Sequence, residues 1–458
     1  MKIGIPTRAK MKRSNLKPQN LWLAVVLGIS VQAFSAAAAN NPDFTPSQNR
    51  ATVAAVATQI REQYFDADKA KQIANELEQQ AAAGNFDQYR HGGELATALS
   101  STLRAKDNHF GVLYSAAATE GAAPPTRSIS RQLNMQRQNF GFKRVEILPG
   151  NIGYLALDQF ANPGFDDPAS AAKVAADNAL NFMVNSSAVI IDLRQNGGGS
   201  PEMVGYLVSA FTAADAPIYN QFRQRQGSFS EAPSQFFAKP RLDVPLYLLI
   251  SGRSASAAEG FSYTLQAAKR ATVVGEASAG GANPGGSFPA GAHFSVFVST
   301  GSPVNPITGS NWERTGVVPD VVVPSSQALT RAQQLAFSQL LRAQPTHPLQ
   351  QVWRWASELL DMKEQPNIAA TADYAGQYQD LTIALANNRL ALHRGKRPPQ
   401  YLQALRPDLF AIEGLADVRI RFDRDDKRQI KAAEFFTVDG FEQRFARNVD
   451  QPVVSEIK

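Results

Sequence analysis

Ser256 follows the apolar run Leu246–Ile250 and the segment Ser251-Gly-Arg-Ser-Ala255, and a helix-like stretch opens at Ala257. A serine on such a strand-to-helix junction is exposed at the edge of a sheet beside the free N–H groups of a helix N-terminus. That suits it to nucleophilic attack, with those N–H groups receiving the charge that develops on the attacked oxygen. The same residues also fit an ordinary N-cap, because Glu259 three positions on completes a capping box. A second segment, Asp192-Leu-Arg-Gln-Asn-Gly-Gly-Gly-Ser200, runs a buried strand into a glycine turn. Consecutive glycines let backbone approach closely and can converge N–H groups on an anionic oxygen. A nucleotide phosphate loop is a rival use, but the P-loop lysine and the GxGxxG spacing are both missing. A plain tight turn is the third reading. A serine nucleophile needs an imidazole to take its proton and a further group to fix the tautomer. The chain has 5 histidines, His91, His109, His293, His347 and His393, and the residues alone leave the choice among them open. Glu313 is likewise one acid among many. With no cysteine in the chain, disulfides, thiolate catalysis and cysteine metal sites are excluded.

These candidates need elements to hold them. From Ser47 to about Lys106 apolar residues recur at steps of three and four (Val53, Val56, Ala57, Ile60, Tyr64; Ala70, Ile73, Ala74, Leu77; Leu95, Leu99, Leu103), which predicts core-facing helical stripes and a small helical domain. From Ile152 short apolar runs alternate with helix-length stretches, which predicts an α/β domain around a buried sheet. Strand-like runs follow at 271–274, 293–300 and 317–323, then helical stretches at 329–343 and 353–360. Alternating short strands from Tyr374 to Phe445, with Val418, Ile420 and Phe422 at period two, predict a small antiparallel β domain or part-barrel. It is read as a non-catalytic accessory domain.

Taken together, Ser-Ala-Ala-Glu at 256–259, Asp-Leu-Arg-x-Asn-Gly-Gly-Gly at 192–199, Val-Val-Gly-Glu at 273–276 and Gly-Val-Val-Pro-Asp at 316–320 resemble the tail-specific protease superfamily. The motifs stand in that family's order over 150–324 and are jointly specific, while each alone is weak. The resemblance implies a crotonase-like or ClpP-like α/β core and serine peptidase activity. The C-terminal processing branch pairs its serine with the lysine of a Gly-Lys-Gly motif shortly after Val-Val-Gly-Glu. Here that stretch reads Ala277-Ser-Ala-Gly-Gly-Ala282, so a Ser-Lys dyad is not available. The interval from His109 to Ile152 is also too short for that branch's PDZ module. The other branch, with the tricorn protease core and the interphotoreceptor retinoid-binding protein modules, has glycine in that place. Similarity to tricorn implies His109, from Asp107-Asn-His109, as the base and Glu313 in support. Tricorn has a second serine before its histidine where Asn108 stands here, which keeps Asn108 as an orienting candidate through its amide. The helical segment before His109 is similar to the N-terminal domain of the retinoid-binding modules. The implied oxyanion donors are the N–H of Ala257 with that of Gly198, or of Gly197, each worth about 3 kcal/mol of barrier. Ser251 and Ser254 are read as structural, and Asp192 and Arg194 as positioning the glycine turn.

The organisation expected is therefore α/β, with a signal peptide over 1–39, a helical domain over 40–118, the catalytic core over 119–328 and a β-rich accessory domain over 329–458. The leader reading rests on a basic start, an apolar run over 21–34 and four alanines before Asn40. The apolar run is short of the roughly 20 residues that a spanning helix needs, so no stable membrane anchor is expected. Lys2, Arg8, Lys10, Lys12, Arg13 and Lys17 equal the formal net charge of +6, which leaves the mature chain neutral. A neutral domain has no overall field to draw phosphate backbones, so no nucleic-acid partner is expected. The reading is of an exported peptidase, periplasmic or secreted, that acts on peptides or unfolded chains without metal or cofactor. A non-catalytic module for apolar ligands on the same fold is the alternative. An acyl-CoA enzyme on the related crotonase fold is disfavoured because CoA is not expected outside the cytoplasm.

Overall fold

The computed structural model describes residues 43–116, 133–362, 372–386 and 389–448. The signal peptide expected over 1–39 lies outside the described residues.

The three apolar stripes of the N-terminal segment become α1 (Pro46–Gln63), α2 (Ala67–Ala82) and α3 (Gly92–Arg104). Thr45 starts α1 with a capping box, its backbone N–H donating to Gln48 Oε1 at 2.8 Å and its hydroxyl accepting from Gln48 N. Asp66 starts α2 by accepting from the N–H groups of Asp68 and Lys69. The buried Val53, Val56, Ala57, Ile60, Leu95 and Leu99 do not close a core among themselves. They pack on β1 (Gly111–Tyr114) and on strands from far along the chain, β9 (Gly285–Pro289) and β10 (Phe294–Ser299), which form one antiparallel sheet in the order β1-β10-β9. The helical layer thus borrows Phe294, Val296 and Val298 for its core, and the separate domain expected over 40–118 shares its interior with later strands.

The central sheet has the order β12-β8-β7-β4-β3-β2. β3 (Ile152–Leu157), β4 (Ala188–Asp192), β7 (Leu246–Ile250), β8 (Thr272–Gly275) and β12 (Val321–Val322) are parallel, and β2 (Phe142–Leu148) is an antiparallel edge. β4 and β7 are buried at every residue, as a sheet covered on both faces requires. One face carries α4 (Ala171–Phe182), α5 (Pro201–Ser209) and α6 (Ala257–Ala267). The other face is covered by α7 (Ala328–Ala343) and α8 (Gln350–Asp361). Ala328, Ala332 and Ala336, at steps of four on α7, let that helix lie close on Ile152, Ile190, Leu249 and Val274, while Phe337 and Trp353 fill the flanks. These two helices, placed by the expected boundary with the β-rich domain, share their buried residues with the central sheet. A small sheet, β11 (Gly301–Val304), β5 (Gln221–Gln224) and β6 (Gly227–Ser230), stands apart from the central one.

The last of the described residues form eight strands: β13 (Gly376–Tyr378), β14 (Leu381–Ala386), β15 (Arg389–Arg394), β16 (Gln400–Arg406), β17 (Leu409–Ile412), β18 (Leu415–Arg424), β19 (Ile430–Thr437) and β20 (Glu442–Ala446). Each pairs antiparallel with the next, and a bridge between Tyr378 and Arg447 joins the first strand to the last. Closure removes the sheet edges that an open meander would expose.

Candidate active site

The loops that leave the carboxyl ends of β4, β7 and β8 meet at one edge of the central sheet, the place where parallel α/β sheets form their sites. After β7 the chain turns through Ser251-Gly-Arg-Ser-Ala to Ser256, which caps α6. Ser251 donates its hydroxyl to Arg194 O at 2.7 Å, and Ser254 donates to Leu193 O at 2.8 Å. Both serines thereby pin the turn to the loop after β4. Ser256 itself is exposed and sits at φ 55°, ψ −116°, a conformation that costs a non-glycine residue about 1–3 kcal/mol. Four contacts hold it there. Ala255 N donates to Asn196 O at 3.0 Å, Glu259 N and Gly260 N both donate to Ser256 O at 2.9 Å, and Ser256 N donates to Glu259 Oε2 at 2.7 Å.

Glu259 does far more than cap the helix. Its side chain is fully buried and accepts from four donors: Ser256 N, Gly281 N at 2.9 Å, Gly280 N at 2.6 Å and the Ser278 hydroxyl at 2.6 Å. One carboxylate thus ties the serine turn to the loop after β8. Ser278 carries the connection onward by accepting from Val317 N, at the end of the segment that bears Glu313.

The glycine turn is shaped as much by packing as by any ligand. A methyl group on Gly198 would lie 2.8 Å from Ser256 Cβ, and one on Gly199 would lie 2.0 Å from Phe160 O. Both have positive φ, so glycine is required twice over. Gly197 faces open space. The fully buried Asn196 donates to Leu157 O at 2.9 Å and accepts the N–H of Gly198 at 2.8 Å. Gly198 is therefore closest to the serine but already bonded, whereas no protein acceptor takes the N–H of Gly197 or of Ala257 among the described residues. Asp192 binds Arg194 through Nε at 2.9 Å and Nη2 at 2.5 Å and accepts from Tyr154 at 2.7 Å, while Arg194 Nη1 reaches Ser325 O at 2.6 Å. That brace fixes the base of the turn.

His109 arrives from the helical layer, on the loop between α3 and β1. Asp107, two residues earlier, forms an Asx turn with the His109 N–H at 2.9 Å and bonds the ring Nδ1 at 3.0 Å. Asp107 is buried, and its other oxygen accepts from Ser299 Oγ at 2.9 Å and Tyr64 OH at 3.2 Å. Burial works against its charge, but the bonds from the His109 ring and backbone and from Ser299 outweigh burial and hold its pKa at about 2. The hydrogen bond to Asp107 raises the pKa of His109 above its ordinary value; burial opposes this, and the charges of Glu313, Asp107 and Glu259 assist. Asn108, the expected orienting residue, is exposed and makes no hydrogen bond to the ring. Asp107 bonds the ring instead, because an Asp at i−2 can close an Asx turn onto the histidine.

Glu313 Oε2 accepts from Ala282 N at 2.9 Å, and its Oε1, buried without a hydrogen-bond donor, lies 3.5 Å from His109 Nδ1. The Nε2 side of the imidazole lies by Gly281. A methyl group on Gly281 would lie 3.3 Å from His109 Nε2 and 3.6 Å from Glu259 Oε2, so imidazole and buried carboxylate face one another across one α-carbon. No hydrogen bond joins His109 to the Ser256 hydroxyl. A 460 Å³ cleft borders the Asp107 and Glu313 side of the ring, and Ser256 does not line it. Asp107, His109 and Glu313 also bring three possible ligand atoms within 4.8 Å of one another, which could hold a cation by geometry. The same three groups suffice to fix the imidazole with a proton on Nδ1 and a lone pair on Nε2.

The sequence signals for Asp107 and Glu259 were the Asp-x-His spacing and the capping-box spacing. Neither spacing reveals that Ser299 and Tyr64 support Asp107, or that Ser278 and two loop amides complete the shell of Glu259.

Residues 151–323 match the model of Peptidase family S41. A carboxy-terminal-processing protease of Bartonella bacilliformis is 29% identical over 188 residues, which cover 39% of this chain and 40% of that protein. The chloroplastic carboxyl-terminal-processing peptidase 1 of Arabidopsis thaliana is 27% identical over 192 residues, 41% of this chain and 37% of that one. The matched segment thus spans about two fifths of the length of these curated relatives. Among solved structures, a photosystem II D1 C-terminal processing protease aligns over 48% of this chain and 49% of its own, with a TM-score of 0.32 and 20% identity.

Proposed function

Since the chain belongs to the tail-specific protease superfamily through residues 151–323, we propose that it is a serine peptidase that hydrolyses peptides or unfolded chains through an acyl-enzyme. The observation that carries this reading is the two-sided setting of His109: Asp107 holds Nδ1, and Nε2 lies beside Gly281, whose N–H shares the Glu259 carboxylate with Ser256 N. In this scheme Nε2 takes the proton of Ser256 Oγ as the oxygen attacks the scissile carbonyl carbon. Catalytic hydrogen bonds often tighten only when substrate is bound, so the Ser-His bond is expected to close then. The oxyanion is received by Ala257 N–H and by a glycine N–H. Gly197 has the freer amide, and Gly198 serves only by sharing its N–H with Asn196. His109 next gives its proton to the leaving amine, and water releases the acyl group by the reverse of the same transfers. Asp107 and Glu313 stabilise the imidazolium that forms in between.

Absence of lysine at Gly281 supports a histidine-dependent mechanism, because any side chain there would start 3.3 Å from His109 Nε2. Imidazole and lysine compete for one place. This is our ground for the tricorn-like branch, although the curated relatives named above are processing proteases. We further read the helix-covered parallel sheet as a crotonase- or ClpP-like core, and the basic and apolar leader as an export signal to the periplasm or beyond. A fluorophosphonate probe tests the central assignment. Wild type is expected to label and Ser256→Ala to stay unlabelled; equal labelling of both would remove Ser256 as the nucleophile.

A further inference from the structure

The C-terminal barrel holds a space that the peptidase scheme does not use. Eight strands enclose an interior just wide enough either to be filled by side chains or to hold one small ligand. Here the interior is divided. Tyr374, Tyr378, Phe410 and Phe422 fill one half, with ring centroids 4.8 to 5.8 Å apart. The other half is a 220 Å³ cavity walled by Leu381, Leu392, Ile412, Val418, Phe435 and Phe445. At its mouth Leu415 is 38% and Phe441 58% exposed.

The polar groups at this cavity are of one kind of charge. Arg394 and Arg397 line it, with Gln400, Thr437 and Gln443, and no acid does. Arg394 is held by Asp380 at 3.0 Å and lies over the Phe445 ring. Arg397 forms no ion pair among the described residues. An apolar well with a few polar groups at its entrance is the common form of a small-molecule site. In such a site the Arg397 guanidinium would select the head group and the well the body. We propose that the barrel binds a monocarboxylate with a medium-length acyl chain, the chain inside the well and the carboxylate on Arg397. The 220 Å³ of the well limits the length. A long chain would overrun it, because the aromatic cluster closes the far end.

The test uses the full chain carrying Ser256→Ala, so that its outcome is independent of any peptidase activity. Titration calorimetry with octanoate is expected to show saturable one-to-one binding, and octanol, of the same body without the charge, is expected to bind about tenfold more weakly. Adding Arg397→Gln should abolish that preference while leaving the thermal midpoint unchanged, since Arg397 is exposed. Leu392→Trp, which fills the well, should remove binding of both compounds. The proposal is overturned by any of three results: no saturable octanoate binding, octanol binding as tightly as octanoate, or a blocked peptide with a free C-terminal leucine binding more tightly than octanoate. The last result would reassign the pocket to polypeptide ends.

Discussion

Asp107→Asn separates a positioning carboxylate from a merely structural one. In the wild type Asp107 is buried, and its pKa is held at about 2 against an ordinary value near 3.8. That difference corresponds to about 2 kcal/mol of preference for the charged form, supplied by His109 and Ser299 against burial. By linkage this contribution is fully present above the unfolded carboxylate value of about 3.9 and is lost as pH falls through about 2. His109 has the opposite sign. Its folded pKa is raised, so its stabilisation is complete below about 6.5 and is lost as pH rises through the folded value. Only the neutral ring can act as a base. The rate of fluorophosphonate labelling should therefore rise with pH through a value above that of an ordinary histidine. In Asp107→Asn the largest cause of the raised pKa is gone, so this limb should move to lower pH. The plateau should also fall by about 10³-fold, because an amide N–H facing Nδ1 favours the tautomer with its proton on Nε2. The destabilisation of about 2 kcal/mol should be measurable near neutral pH and vanish in strong acid. A variant whose labelling limb stays in place, with a plateau within threefold of wild type, would falsify the role given to Asp107.

Three other perturbations probe the same machinery and its surroundings. Glu259→Gln puts an amide among the donors of Ser256, Gly280, Gly281 and Ser278, and should cost about 3 kcal/mol in denaturant unfolding and most of the labelling, whereas unchanged stability would contradict the four-donor shell. Gly281→Val should slow labelling by about a hundredfold with little change in thermal midpoint, since its backbone is open to any residue and the loss comes from pushing His109 aside; an unaffected rate would mean that Nε2 does not work there. Glu231, fully buried with Asn220 as its side-chain partner, has its pKa pushed up by burial to about 8. The folded state then holds a proton that the unfolded chain releases near 4.3, so stability falls as pH rises from there to about 8, and Glu231→Gln should flatten that fall in unfolding curves taken at several pH values.

How much could be read from the chain depended on whether the relevant physics was local. Helical stripes such as Leu95, Leu99 and Leu103, and the continuous apolar runs of β4 and β7, announce burial within a few residues, and each is buried. The run over 317–323 gives strand only at Val321–Val322, because Gly316 and Pro319 punctuate it. The domain limits were illegible for a different reason. Nothing near Ala328 says that a stripe of small residues will lie on the rear of a sheet formed by residues 152–275 rather than against the barrel that follows, since alanines fit either surface. In the same way, nothing near His109 says that Ser299, 190 positions away in a strand of the same sheet as β1, will close the shell of Asp107. Asn108 was put forward by analogy with a serine in a relative, and an analogy of that kind cannot foresee that the side chain bonded to the ring in the fold is Asp107.

The borrowed strands explain why the site needs both layers. Ser256 and Glu259 are fixed by the central sheet, but His109 rides on the helical layer, and only a few bonds join the two around it. Ser299 Oγ reaches Asp107, Arg314 Nη2 reaches Lys106 O at 2.8 Å, and Glu313 approaches His109 from the segment that Ser278 and Glu259 anchor. Each of these links comes from residues 278–317, the stretch that also gives β9 and β10 to the helical core. A change anywhere in that stretch that loosens the shared core therefore acts on the position of the imidazole rather than on the serine turn. Val296→Ala, buried in the helical layer, removes apolar contact worth about 1–3 kcal/mol. If the coupling is as described, this variant loses labelling well below its unfolding temperature, while Val273→Ala, equally buried but under the serine turn and away from the helical layer, loses labelling only as it unfolds. Identical temperature profiles for the two, each normalised to its own midpoint, would show that the layers do not act through the imidazole.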